Sequence, residues 1–160
     1  MWHTRAMGLG RTTRFAPLPA GARRVSVMRA GTVGIKALAP SDALLAEFQA
    51  RKRALVRAGT ASDAAHQEAH RAMGYRERYL EEIRTRPGAL TVLRQLVSDS
   101  RTADVYLMCM CPYRTPGRAC HTYALLDLAR ELDPAVQELP EPAPHRAKKP
   151  KSGSDPDFGV

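Results

Sequence analysis

The chain has 160 residues, 44% of them hydrophobic and 26% charged, with a formal net charge of +9. That length fits one domain with a single modest core, and no apolar run approaches the ~20 residues that a membrane span requires. The basic start holds no continuous apolar stretch before a small-residue cleavage site, so no secretory leader is expected. Three cysteines, an odd number, argue against an extracellular disulfide framework, and a reducing cytoplasm is the expected location.

The charge is unevenly placed. From residue 1 to 41 there are seven Lys/Arg and no acid; residues 42–133 carry fourteen against twelve, and residues 134–160 four against four. The middle of the chain is therefore close to neutral, and the high isoelectric point belongs to its N-terminal stretch. Such a basic arm can attract nucleic acid non-specifically, which makes nucleic acid a candidate partner through that arm.

Residues 1–23 mix Gly, Pro, Arg and Thr without periodicity and are expected to form a flexible basic lead-in. Arg24-Val25-Ser26-Val27-Met28 then alternates like a short strand, closed by Ala30-Gly31. Ser41-Asp42 reads as a helix start, a hydroxyl N-cap followed by an acid in the first turn. Leu44, Leu45, Phe48, Leu55 and Val56 share one side of that helix, which should stop at Gly59. Ser62-Asp63 opens a second helix predicted to run to about Arg84, with Ala65, Ala69, Ala72, Tyr79, Leu80 and Ile83 as its stripe. Pro87 suits the first turn of a third, built on Ala89, Leu90, Leu93, Leu96 and Val97.

Val105 to Cys109 is the strongest strand candidate, apolar throughout as a strand covered on both faces should be. After a loop, Leu125, Leu128, Ala129 and Leu132 mark a last helix ended by Asp133-Pro134. The Pro/Lys-containing tail, residues 134–160, has little to bury and is expected to be disordered. Strands separated by helices argue for an α/β fold: a small, largely parallel sheet flanked by helices, in a single domain over residues 24–133 with flexible termini. Two strands are few for such a sheet. A third is expected near Thr32 to Ala37, or from a partner.

All three cysteines cluster at one strand-to-helix turn, Cys109-Met110-Cys111 at the strand end and Cys120-His121-Thr122 where the last helix begins. Residues two apart on an extended chain share a face, so Cys109 and Cys111 should project the same way. The free N–H groups at a helix start lower a thiol's pKa and favour anions. Three readings follow. Cys120 is an activated thiolate, with His121 or Arg118 nearby, acting as nucleophile, redox thiol or ligand contact. Alternatively, two or three of Cys109, Cys111 and Cys120 hold zinc together with His121, although the spacing matches no standard zinc pattern. In the third, Cys109 is a small core hydrophobe and His121 a first-turn polar residue.

At these residues the chain resembles the domain of unknown function 488 family, small α/β proteins in which a strand ending in Leu-Leu-Cys is followed by a loop and Cys-His-Arg opening a helix. Leu107-Met108-Cys109 looks like that strand end, and Cys120-His121-Thr122 like the Cys-His-Arg position. Arg24-Val25-Ser26-Val27, Leu38-Ala39-Pro40-Ser41 and Tyr75-Arg76-Glu77-Arg78-Tyr79-Leu80 look like the family's first strand, the loop before its first long helix, and its Tyr-rich helix. Thr122 stands where the family usually has arginine, the residue suited to grip an anion in a fork. Thr122 can still give one hydrogen bond, and Arg118 or Arg114 could supply the charge. The resemblance implies a fold and a site but no reaction. The expected function is binding of a small anionic ligand, or thiol chemistry, at Cys120 and His121, with Thr122, Arg118, Cys111 and Cys109 as ligand contacts. A zinc-stabilised binding module is the alternative.

Overall fold

In the computed structural model of the chain, residues 7–31 and 34–144 are described, and Val105–Cys109 is the central strand of a three-stranded parallel sheet. In chain order the strands are β1 (Leu9–Thr13), β2 (Arg23–Ser26) and β3 (Val105–Cys109), and in space they run β1-β3-β2. Leu9 and Arg11 pair with Val105 and Leu107, and Arg23 and Val25 pair with the same two residues from the other side. Paired residues of a parallel sheet share a face, so Leu9, Arg11, Val25, Leu107 and Cys109 look toward the helices. The helices are α1 (Asp42–Arg57), α2 (Ser62–Ala72), α3 (Tyr75–Thr85), α4 (Ala89–Asp99) and α5 (His121–Leu132). Leu93, Leu107, Leu125, Ile83 and Tyr79 are wholly buried where helices and sheet meet.

The expected α/β class and small parallel sheet are present, but the third strand lies elsewhere. Residues 34–37 lead into a 3₁₀ turn over Lys36–Leu38, and residues 32 and 33 fall outside the described ones. The third strand is β1, inside the stretch expected to be a flexible lead-in. Its composition hid it: Gly10 and Thr12 occupy one face and an arginine one of the two fully core-facing positions of the other. Gly10 is required by close packing, since a Cβ there would lie 2.9 Å from both Leu139 Cβ and Tyr106 Cε1. Gly10→Ala should therefore destabilise the fold by about 1–3 kcal/mol in urea unfolding, and a loss below 0.5 kcal/mol would contradict this packing.

Four further expectations meet the structure. Ser41 caps α1 as predicted, its Oγ accepting the Leu44 N–H at 3.1 Å, and Glu82 of α3 in turn accepts the Ser41 N–H at 2.9 Å. The single helix predicted from Ser62 to Arg84 is two, because Gly74 takes a left-handed φ of 59° between α2 and α3. The third predicted helix starts at Ala89, after Gly88 at φ 79°, so Pro87 precedes the helix rather than sitting in its first turn. The tail is not structureless throughout. Leu9 N–H donates to Gln137 O at 2.9 Å and Leu139 N–H to Leu9 O at 3.0 Å, extending the sheet at its β1 edge, while residues 145–160 lie outside the described ones.

Candidate thiol site

β3 ends at Cys109, and the following turn is set by Pro112, which has no N–H to continue a ladder. Thr115 Oγ1 donates to Pro112 O at 2.7 Å, and Arg114 and Arg118 take left-handed φ values of 49° and 52°, which few non-glycine residues adopt. This bend returns the chain to the sheet so that Cys120 becomes the N-cap residue of α5 and His121 its first residue. The loop thereby folds the three thiols onto each other. The sulfurs of Cys109, Cys111 and Cys120 all lie within 4.8 Å of one another, and those of Cys109 and Cys120 are 3.3 Å apart. Cys109 and Cys120 are buried, and Cys111 is half-buried.

His121 completes the cluster. Its Nε2–H donates to Val27 O at 2.9 Å, which turns Nδ1 toward the sulfurs, 3.9 Å from both Cys109 and Cys120. Burial by itself pushes the Cys120 thiol up, but hydrogen bonds from Cys109 and Cys111 and the facing His121 outweigh it and hold its pKa well below the ordinary range. For His121 burial works downward and the neighbouring Cys109 and Cys120 prevail, raising it well above an ordinary imidazole. Both shifts arise from the close approach of the His121 ring to the buried sulfurs. Cys111 behaves in the opposite way: its hydrogen bonds to the Cys109 and Cys120 sulfurs, together with burial, push its thiol up.

Behind the cluster stands a residue that the sequence reading passed over. Arg11, on β1, is 1% exposed. Its Nε donates to Thr122 Oγ1 at 2.9 Å, and its terminal nitrogens donate to Cys111 O, Pro112 O and Thr115 Oγ1, each at 3.1 Å, and to the Glu141 carboxylate of the tail. Burial works against this cation, and Cys120 and Glu141 more than offset it, so its pKa is raised. Thr122 Oγ1, with Arg11 occupying a lone pair, keeps its own hydrogen for Cys120 Sγ at 3.1 Å. The guanidinium that the resemblance led one to expect at position 122 thus arrives from another strand and bears on Thr122.

On its open side the cluster faces a cleft of about 280 Å³, with Cys109, Cys111, Cys120 and His121 at its inner end. Met28, Leu45, Phe48, Tyr75 and Met110 give it an apolar wall, His66 and His70 add two imidazoles, and Arg29 and Lys52 stand among its lining cations. Lys52 has no acidic partner among the described residues. His66 Nε2–H donates to Ala119 O at 2.7 Å and lies 3.9 Å from Cys111 Sγ, with burial lowering its pKa. Neither Thr122 nor Arg118 lines this cleft. Arg118 instead pairs with Asp127 and Glu138 and lies over the Tyr123 ring, beside a shallow groove on the other side of the loop. Arg114 lies over Tyr113 in the same direction.

The DUF488-N3a family, described as the active DUF488-N3 subclade, matches residues 11–132. The chain belongs to this family. The match begins at Arg11 rather than at Arg24, so it takes in most of β1, and it closes on the last residue of α5. The stretch carrying Leu139 and Glu141 therefore lies beyond the matched segment. No curated protein and no solved structure matches the chain.

The DUF488-N3a site also has a polar group to spare. His70 Nε2 is buried without a hydrogen-bond partner, and its ring stacks on Tyr75 with centroids 4.7 Å apart. Burial drives its pKa from 6.5 down to about 4; His66 and His121 act in the same direction, and Cys120 and Glu77 oppose it. The unfolded chain takes up this proton near pH 6.5 and the folded protein only near pH 4, so stability is full above 6.5 and falls as the pH drops through that window. After a discount for the exposed part of the ring, the loss amounts to about 2 kcal/mol. His70→Phe should flatten this acid limb in urea titrations between pH 6.5 and 4, and an unchanged limb would assign it to other groups.

Among the described residues no helix is long and apolar enough to cross a membrane. The basic segment before α1 is largely committed to the protein itself. Arg11 is buried, Arg23 pairs with Asp99, Arg24 donates to Arg14 O, Arg29 to Pro40 O, and Lys36 Nζ gathers the carbonyls of Met28, Arg29 and Ala30. Residues 1–6 of that segment lie outside the described ones.

Proposed function

We propose that this DUF488-N3a protein binds a small anionic, electrophilic molecule in the cleft and meets it with the Cys120 thiolate. One observation carries the reading: Cys120 Sγ lies at the inner end of a cleft of about 280 Å³, between His121 Nδ1 at 3.9 Å and the Thr122 hydroxyl at 3.1 Å. A thiolate is the nucleophilic form of cysteine, and an imidazolium beside it stabilises that form and can return a proton to a leaving group. Lys52 supplies attraction for a negatively charged end, and the apolar wall accepts the rest of a small molecule.

Alkylation by two reagents of nearly equal size tests both halves of this reading. At pH 6, iodoacetamide should modify Cys120 before Cys109 and Cys111, as read by peptide mass mapping. Iodoacetate should gain on iodoacetamide relative to a free thiol, and Lys52→Ala should remove that gain. Sluggish modification of all three thiols at equal rates would overturn the thiolate assignment; an unchanged ratio in Lys52→Ala would overturn the anion preference.

The convergence of three sulfurs within 4.8 Å favours a second reading, a zinc ion held by Cys109, Cys111 and Cys120 with His121 Nδ1 as a fourth donor. Elemental analysis of the purified protein separates the two: a stoichiometric ion that is lost in Cys120→Ser supports zinc, and a folded metal-free protein excludes it.

A further inference from the structure

We infer that Cys109 and Cys120 form a reversible dithiol–disulfide couple that reduces small organic hydroperoxides entering the cleft. The inference rests on Cys120 being the reactive thiol proposed above and is independent of the anion preference; it names a class of electrophile for that thiol and the second thiol. The two sulfurs are already 3.3 Å apart, and they are carried by rigid elements packed against each other, the end of β3 and the start of α5. Closing to a bond length of about 2.05 Å takes a further approach of about 1 Å. The loop between them is held at its base by Arg11 and Thr115, so both cysteines keep their places while the bond forms and breaks.

Access selects the substrate. Cys109 and Cys120 are 4% and 3% exposed, too deep for the disulfide of a folded protein to reach either sulfur, whereas a small molecule fits the cleft. The cleft wall of Met28, Leu45, Phe48 and Met110 favours a peroxide with an organic group over hydrogen peroxide itself. Cys111 has a different place. It is half-buried, beside His66, and its backbone N–H donates to Cys109 Sγ at 3.4 Å, steadying the second thiol.

The chemistry balances in two steps. Cys120 attacks the terminal oxygen of the hydroperoxide; an S–O bond forms, the O–O bond breaks, and the alkoxide leaves as the alcohol with the proton that Cys120 gave up, leaving Cys120 as a sulfenic acid. The Cys109 thiol then attacks the Cys120 sulfur, the S–O bond breaks, and the hydroxyl leaves with the Cys109 proton as water. One hydroperoxide is reduced to an alcohol and water, and two thiols are oxidised to one disulfide. A small external dithiol restores the pair by exchange and is itself released as a cyclic disulfide.

The test uses the full chain, reduced, freed of excess reductant and treated with one equivalent of tert-butyl hydroperoxide. Two of the three titratable thiols should disappear, Cys111 should remain open to alkylation, and dithiothreitol should restore all three. Because Cys109 and Cys111 sit close together in sequence, two variants separate them: Cys111→Ser should still form a crosslink, which can then only join Cys109 to Cys120, and Cys109→Ser should instead accumulate a Cys120 sulfenic acid that dimedone traps. A crosslink between Cys111 and Cys120 at the parental rate in Cys109→Ser would overturn the assignment of the second thiol. If Cys120 alkylates selectively but the hydroperoxide consumes no thiol, the couple is wrong and the thiolate reading stands; if Cys120 neither alkylates nor oxidises, both fall.

Discussion

Arg11→Met should cost the protein about 3–5 kcal/mol, enough to remove much of the 5–15 kcal/mol by which an ordinary domain is stable. The arginine sits in the wall of the sheet with every nitrogen engaged, and its loss leaves several buried groups without partners at once. The Glu141 carboxylate, 10% exposed, loses its cation, and the Cys111 and Pro112 carbonyls lose their donor. An uncompensated buried charge is the costliest of these, because desolvation is no longer offset by a facing charge. Arg11→Lys should fall between, since an ammonium keeps the charge but cannot reach Thr122 Oγ1 and the loop carbonyls together. Adding Glu141→Leu to Arg11→Met should restore part of the loss, because the stranded carboxylate then disappears. Urea unfolding of the parent, Arg11→Met, Glu141→Leu and the double variant measures this cycle, with Arg11→Lys as a fifth protein. A single-variant loss under 1 kcal/mol would show that the arginine is solvated in solution.

The same substitution should be felt at Cys120. Arg11 holds Thr122, whose hydroxyl faces the sulfur, so Arg11→Met should slow alkylation of Cys120 even where the protein remains folded. Glu141→Gln, which keeps a hydrogen-bond acceptor for Arg11, should leave that alkylation nearly unchanged.

His121→Gln should produce the largest change in reactivity. With the imidazolium gone, burial of Cys120 is opposed by the neighbouring thiols, the Thr122 hydroxyl and the more distant Arg11 alone, and the thiol's pKa rises. Below that pKa the thiolate fraction falls tenfold per unit, so alkylation near pH 6 should slow by about tenfold to a hundredfold. The pH midpoint of the reaction should move upward in the variant while the limiting rate at high pH changes little. That pattern separates an electrostatic role from a structural one, because a distorted cleft would lower the rate at every pH. Glutamine retains an N–H donor for Val27 O, which keeps the start of α5 against the end of β2.

Much of the scaffold was legible from residue order because it follows local rules. The Ser41 cap, the strand Val105–Cys109 and the helix ending at Asp133-Pro134 each carry their signal within a few neighbouring residues. The failures share a cause. β1 carries an arginine toward the core, and in a sequence such a residue reads as exposed; only the carbonyls, Thr122 and Glu141 that meet it make its burial tolerable. Leu139 and Glu141 lie in a Pro-rich stretch whose order comes from β1, not from its own composition. His66 and His70 passed as polar positions on a helix of small residues, because nothing local says that α2 borders the cleft.

The sequence by itself determined that the three cysteines and His121 gather at one strand-to-helix turn, since a strand end, a Pro/Gly loop and a helix start are all encoded by short-range sterics and hydrogen bonding. The tertiary structure alone decided which of them act together. Cys109, Cys111, Cys120 and His121 converge, Thr122 supports Cys120 from behind under Arg11, and Arg118 turns away to Asp127 and Glu138. Most of those relations depend on contacts between residues that are nine to more than a hundred positions apart, where burial and charge pairing set the outcome and local propensity has no say.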